Sequence, residues 1–102
     1  MKSLSDTEWA YLAGFFDGEG CVSGFKRGYP RITITQKDPR PLMWIQSLCG
    51  GTLDQAQRSG CFGGGVYRWR LFAGKSVALF IEGVLPYTIV KRDDLRKALE
   101  WL

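Results

Sequence analysis

The stretch Leu12-Ala13-Gly14-Phe15-Phe16-Asp17-Gly18-Glu19-Gly20 ends a predicted helix, carries two carboxylates, and holds three glycines where side chains would obstruct something. At about 100° per residue, Trp9, Leu12, Phe15 and Phe16 fall on one side of this helix. Ala10, Ala13, Gly14 and Asp17 fall on the other, with Gly18 at its margin. The bulky side suits a core. The side of Ala and Gly, with small-xxx-small spacing at Gly14 and Gly18, suits a second helix whose backbone comes very close. Glycine costs about 1 kcal/mol against alanine in a helix interior, so two of them call for a packing reason. The plainer alternative is that Gly18 and Gly20 simply end the helix.

Asp17 and Glu19 lie at the helix C-terminus, where the macrodipole already disfavours negative charge. If the small face meets a symmetry mate, two such ends converge. Two carboxylates about 4 Å apart repel by about 4 kcal/mol at an effective dielectric near 20. A divalent cation relieves this, and carboxylate and carbonyl oxygens suit magnesium or calcium.

The chain of 102 residues is read as one domain, 1–102, with one core. It has no apolar run long enough for a transmembrane helix and no signal-peptide pattern at Met1. Cys21, Cys49 and Cys61 form no CxxC pair and leave an odd count, which points to reduced thiols in an intracellular compartment. There is no histidine, which excludes histidine-based nucleases, imidazole zinc sites and Ser-His or Cys-His nucleophiles. The net charge of +4 is segregated. Residues 1–20 set Asp6, Glu8, Asp17 and Glu19 against Lys2 alone. Residues 26–40 set Lys26, Arg27, Arg31, Lys37 and Arg40 against Asp38, and 58–75 add Arg58, Arg68, Arg70 and Lys75 with no acid. A positive periphery around an acidic centre favours a polyanionic partner.

Ser5-Asp6-Thr7-Glu8 has capping-box spacing and starts the first helix, which is expected to run to about Asp17. Residues 21–27 read as a first strand. Residues 31–35 alternate, with Ile32 and Ile34 on one face and Arg31, Thr33 and Thr35 on the other. Asp38-Pro39 opens a second helix, buried through Leu42, Ile45 and Leu48 or Cys49, and Gly50-Gly51 stops it. Thr52 to Arg58 is a weaker strand, and the glycines of 60–65 suit a loop. In 66–72, Tyr67, Trp69 and Leu71 oppose Arg68 and Arg70. Gly74 opens a third helix, and a last one spans Arg92 to Leu102. The order αββαββαα predicts an α+β fold: four antiparallel strands with helices on one face. Arg31, Thr33, Arg68 and Arg70 then lie on the open face.

The LAGFFDGEG stretch resembles the signature of the LAGLIDADG homing endonucleases, of the type with a single motif. The similarity extends to Ile34-Thr35-Gln36-Lys37, to Tyr67–Lys75 and to Leu85–Leu95. It implies the same fold, with motif helices paired at the centre of the molecule. One motif copy then implies a homodimer on a palindromic or near-palindromic double-stranded DNA target. On this resemblance the dimer contact falls on Ala10, Ala13, Gly14 and Asp17, and Asp17 supports the helix crossing. Glu19, with the Gly18 carbonyl, binds Mg²⁺ for phosphodiester hydrolysis; Ca²⁺ is expected to support binding without cleavage. Gln36 orients the attacking water, and Lys91 stabilises charge on the phosphate. DNA contacts are expected from Ser23, Phe25, Arg27, Arg31, Thr33, Thr52, Asp54, Arg58, Arg68 and Arg70. Neither a small-molecule cofactor nor a membrane is implied, and the setting is bacterial, phage-infected or organellar. Asp54 departs from the pattern, standing where the family often has a basic or polar reader. The competing reading is a DNA-binding regulator or RNA splicing maturase of the same fold that has lost catalysis.

Overall fold

The computed structural model describes residues 3–24, 29–56 and 65–102. Helix α1, Asp6–Glu19, begins on the expected capping box: the Ser5 N–H donates to the Glu8 carboxylate at 2.9 Å, and the Glu8 N–H donates to the Ser5 hydroxyl at 3.2 Å. It runs past Asp17 to Glu19 and passes directly into β1, Gly20–Ser23. Gly24, at φ +84°, ends that strand, and its carbonyl accepts the Tyr29 N–H at 3.1 Å. Strand β2, Arg31–Gln36, leads to α2, Pro39–Cys49, which is capped by the Asp38 carboxylate. The Arg40 guanidinium hydrogen-bonds to that carboxyl and holds its pKa down at about 2.

Strands β3, Thr52–Ala56, and β4, Val66–Leu71, complete the sheet. Helix α3, Gly74–Val84, a 3-10 turn, Leu85–Tyr87, and helix α4, Arg92–Glu100, finish the chain. Expected strand residues 25–27, Arg58 and most of the glycine loop lie outside the described residues. The last helix stops at Glu100, two residues short of the predicted end. Among the described residues, no helix is long and apolar enough to cross a membrane.

The strands are antiparallel in the order β1-β2-β4-β3. Ile34 lies beside Trp69, and Trp69 beside Leu53, so one face is apolar across the sheet. This face meets the helices in a core of Leu12, Phe16, Ile45, Trp69, Phe80 and Leu95, all fully buried. Trp69 also donates its indole N–H to the Gly50 carbonyl at 2.8 Å, pinning the end of α2 to the middle of the sheet. That close turn needs its glycines. Gly50 and Gly51 have φ of +74° and +86°, and a Cβ on Gly51 would meet the Arg70 carbonyl and the Trp69 indole. The other sheet face carries Cys21, Thr33, Arg70 and Thr52 in one row and Thr35, Arg68 and Asp54 in the next.

The three motif glycines have different jobs. A Cβ on Gly20 would land inside the Phe16 ring, which is fully buried and packs edge-on against Phe80 with centroids 5.6 Å apart. Gly20 is therefore required by the chain's own packing. At Gly14 and Gly18 an added Cβ would meet no atom of the described residues within 4 Å. Gly20→Ala should accordingly destabilise the chain by about 1–3 kcal/mol, the usual cost of overpacking a filled core. Gly14→Ala should raise stability by up to about 1 kcal/mol through helix propensity. Urea unfolding at concentrations too low for self-association checks this, and equal midpoints for the two variants would contradict it.

Candidate functional site

The C-terminal end of α1 is where the predicted catalytic groups gather. Asp17 is half-buried, and its carboxylate is used inside the chain. One oxygen accepts the Ile89 N–H at 2.8 Å and the other accepts the Lys91 N–H at 3.1 Å. The Lys91 ammonium returns a longer contact of 3.4 Å to the Asp17 carbonyl. A carboxylate at a helix C-terminus is unfavourable by itself. Two backbone donors and a nearby cation offset that penalty.

The segment from Leu85 to Lys91 is built to be held this way. Thr88 is buried, its hydroxyl donates to the Leu85 carbonyl at 3.0 Å, and its carbonyl accepts two guanidinium N–H groups of Arg92 at 3.0 and 2.7 Å. Ile89 and Val90 beside it are exposed. Sequence reasoning assigned Asp17 a supporting role and missed its partners, which lie 72 and 74 residues away, beyond any local pattern.

Glu19 ends the helix with an exposed side chain. With Thr35, Gln36, Lys37 and Val66 it lines an open cavity of about 240 Å³. The structure therefore brings Glu19 and Gln36 together. The Gln36 side-chain oxygen Oε1 accepts the Lys37 N–H at 2.8 Å. Lys91 does not line this cavity; its ammonium sits by the Asp17 carbonyl on the neighbouring residue pair of the same helix end. Gly18 is exposed in the last turn, whose carbonyls lack intrahelical partners.

These donors are all oxygen, a set that hard cations such as Mg²⁺ or Ca²⁺ accept. One chain supplies a single carboxylate here. Among the described residues no group of three or more acidic, Cys or His side chains could hold a metal. Such a small oxygen set fits a hard cation that keeps several of its waters.

The outer face of α1 differs from expectation at two positions. Ala10, Gly14 and Gly18 are exposed, but Ala13 is fully buried in the core. Ala13 lies only about 40° around the helix from Trp9, so it flanks the apolar side; its small size was mistaken for membership of the open strip. Asp17, expected on that strip too, turns to residues 89–91 instead. Tyr11 joins the open face at 56% exposure. It stacks on Phe15, centroids 6.4 Å apart, and meets Trp44 edge-on at 5.3 Å.

On the open sheet face, Arg31 is exposed and Thr33, Thr35 and Ser23 are half-exposed, as the alternation required. Thr52 is exposed beside Arg70. Arg68 and Arg70 are not independent cations. Both donate to Asp54: Arg68 at 3.3 and 3.1 Å, Arg70 at 3.1 Å. Hydrogen bonding from Arg68, and then the charges of Arg68 and Arg70, hold the Asp54 carboxyl below its ordinary range. Phe25, Arg27 and Arg58 lie outside the described residues. Cys21, on the same face, is exposed, whereas burial pushes the Cys49 thiol up to about 11.

Residues 6–59 match the LAGLIDADG-like domain. The chain also resembles solved structures of the homing endonuclease I-CvuI in complex with DNA. One holds its own target in the presence of Ca, at 26% identity and TM-score 0.73; the other holds the I-CreI target in the presence of Mg, its DNA not cleaved, at 27% and 0.74. These similarities cover 93% of this chain but 65% and 66% of those chains, so about a third of each has no counterpart here. The fold is shared with the archaeal intron-encoded homing endonuclease I-Vdi141I complexed with DNA. There the identity is 24% and the TM-score 0.68, covering 89% of this chain and 64% of that one. No curated protein matches.

Removing the Asp17 carboxylate strands two backbone donors. Hydrogen bonds to a charged group are worth about 1.5–3 kcal/mol. Asp17→Ala should therefore cost about that much, and Asp17→Asn, which keeps one acceptor oxygen, less. Thermal unfolding with hydrogen exchange at the Ile89 and Lys91 amides tests this; unchanged protection of both amides in Asp17→Ala would refute the tether.

Proposed function

The chain belongs to the LAGLIDADG-like family, and on that premise we propose that it is a site-specific, double-strand DNA endonuclease, one half of a twofold homodimer on a palindromic or near-palindromic target. The observation that carries this reading is a pairing of two features at one place. Glu19 and Gln36 meet in a single cavity at the end of a helix whose Gly14 and Gly18 serve no packing purpose among the described residues. A close-approaching helix gives those glycines a role. A twofold axis along that contact brings a second Glu19 to the first and completes an oxygen donor set that one chain half supplies.

In this reading Glu19 and the Gly18 carbonyl hold Mg²⁺. The bound cation would supply charge neutralisation at the scissile phosphate and acidify water. The chain's own groups do the rest. The Gln36 amide orients water beside the phosphate, since its own oxygen is engaged by Lys37. Lys91 lends positive charge against the negative charge that grows on the phosphate oxygens. Its backbone N–H is held by the Asp17 carboxylate, which fixes where the side chain starts. The chain has no histidine, so an imidazole base is not available to it. The sheet face bearing Arg31, Thr33, Arg68 and Arg70 meets the major groove, where arginine reads guanine.

Glu19→Gln keeps shape but removes one negative charge per subunit. Cutting with Mg²⁺ should fall by several orders of magnitude, while DNA affinity measured with Ca²⁺ survives. Binding rests on basic groups and counterion release, which this change leaves intact. Cutting at the wild-type rate would dismiss Glu19 as the metal ligand. A wild-type protein that binds DNA tightly yet never cuts with any divalent metal would make the chain a binding regulator.

Gly14→Leu tests the pairing separately. Sedimentation should show dimer lost or weakened with the monomer still folded, because the described residues leave open space there. An unchanged, active dimer would place the interface elsewhere.

A further inference from the structure

Asp54 is an acid on a face proposed to meet a polyanion, and among the described residues it is the only acid of that face. It stands directly across from Arg68 in the β3–β4 ladder, and Arg70 reaches it from the next position on the same face. The contacts are specific in their use of donors. Arg68 commits its Nε–H to one carboxylate oxygen at 3.3 Å and an Nη2–H to the other at 3.1 Å, a side-on fork. What remains is the end-on pair of Nη1 and Nη2, aimed away from the backbone. Arg70 gives one Nη2–H to Asp54 at 3.1 Å, and its guanidinium carbon lies 5.2 Å from the centre of the Phe72 ring. Its Nε is buried and without a partner among the described residues.

Both guanidiniums are thus held, where free arginines would swing to the nearest phosphate. A fixed end-on fork matches the two acceptors on the major-groove edge of guanine. A carboxylate shared by two arginines also cancels part of the attraction for phosphate, which is the component of binding that carries no sequence information.

We infer that Asp54 is a specificity-positioning residue: it turns Arg68 end-on toward the base edges, restrains Arg70 against Phe72, and lowers affinity for DNA of the wrong sequence. This rests on the DNA-binding reading above and deepens it. The position that departs from the expected basic or polar reader is then what lets the two arginines discriminate.

The test compares wild type, Asp54→Ala and Asp54→Asn as the full chain. Anisotropy across a salt series on a random-sequence duplex measures sequence-independent binding. Selection from a randomised duplex library measures base preference, with Arg68→Ala marking the base pairs that Arg68 reads. For Asp54→Ala, random-duplex affinity should rise about tenfold at low salt. The plot of log affinity against log salt should steepen by about one to two, at about 0.9 per additional phosphate contact. Preference at the Arg68-marked pairs should fall at least fivefold, in both half-sites. Asp54→Asn should show the same change in salt slope, yet retain more of the preference, because its amide oxygen still accepts one guanidinium N–H.

An unchanged slope and unchanged preference in a wild-type protein that binds DNA overturns the inference. A steeper slope with preference intact overturns it as well, leaving Asp54 a brake on charge alone. If wild type binds no duplex at any salt, the DNA-binding reading falls first and this one with it. Circular dichroism confirms that each variant folds, and should Asp54→Ala not fold, the slope and preference of Asp54→Asn decide.

Discussion

The grip of the Asp17 carboxylate on the backbone of Ile89 and Lys91 is the constraint on which the working end of this molecule depends. It joins the first helix to a segment over 70 residues later and sets where Lys91 stands relative to Glu19. The helix dipole opposes a negative charge at that position, so Asp17 is tolerable there only with its donors in place. A structural acid and the acid proposed to hold the metal therefore sit two residues apart on one helix end. The inner one is turned into the chain and the outer one left exposed.

The same helix separates duties among its small residues. Gly20 is needed because a buried Phe16 ring lies over it, and Ala13 is fully buried on the core flank of α1. Gly14 and Gly18 answer to nothing among the described residues. A residue whose smallness no internal neighbour explains is evidence about what comes from outside. It differs in kind from the glycines at 50 and 51, which the backbone conformation itself requires.

On the sheet, charge is compensated as well as displayed. A face of unpaired arginines would bind any duplex through its phosphates. Here Asp54 pairs with both Arg68 and Arg70, and on the proposed reading that gives up part of such an attraction. In the proposed DNA complex the cost in electrostatics would fall on sequence-independent contact, and the benefit would come where a base edge fits the remaining donors.

Much of this was legible in the residues. The capping box, the alternation in 31–35 and 66–71, the Asp38-Pro39 helix start and the acids at the helix end are patterns written within a few positions. Backbone hydrogen bonding and the periods of helix and strand act over that range. They determined the element order, the α+β class and the placement of Glu19 and Gln36 on elements that could converge. Tertiary structure alone decided that Ala13 faces inward, that Asp17 binds residues 89–91, and that Asp54 pairs with both arginines across β3 and β4. Each of those depends on which strands become neighbours, in which register, and on how a helix rotates against its core. These are set by the packing of the whole chain, where residues 14 or 74 positions apart come within hydrogen-bonding distance and no local period records that they will.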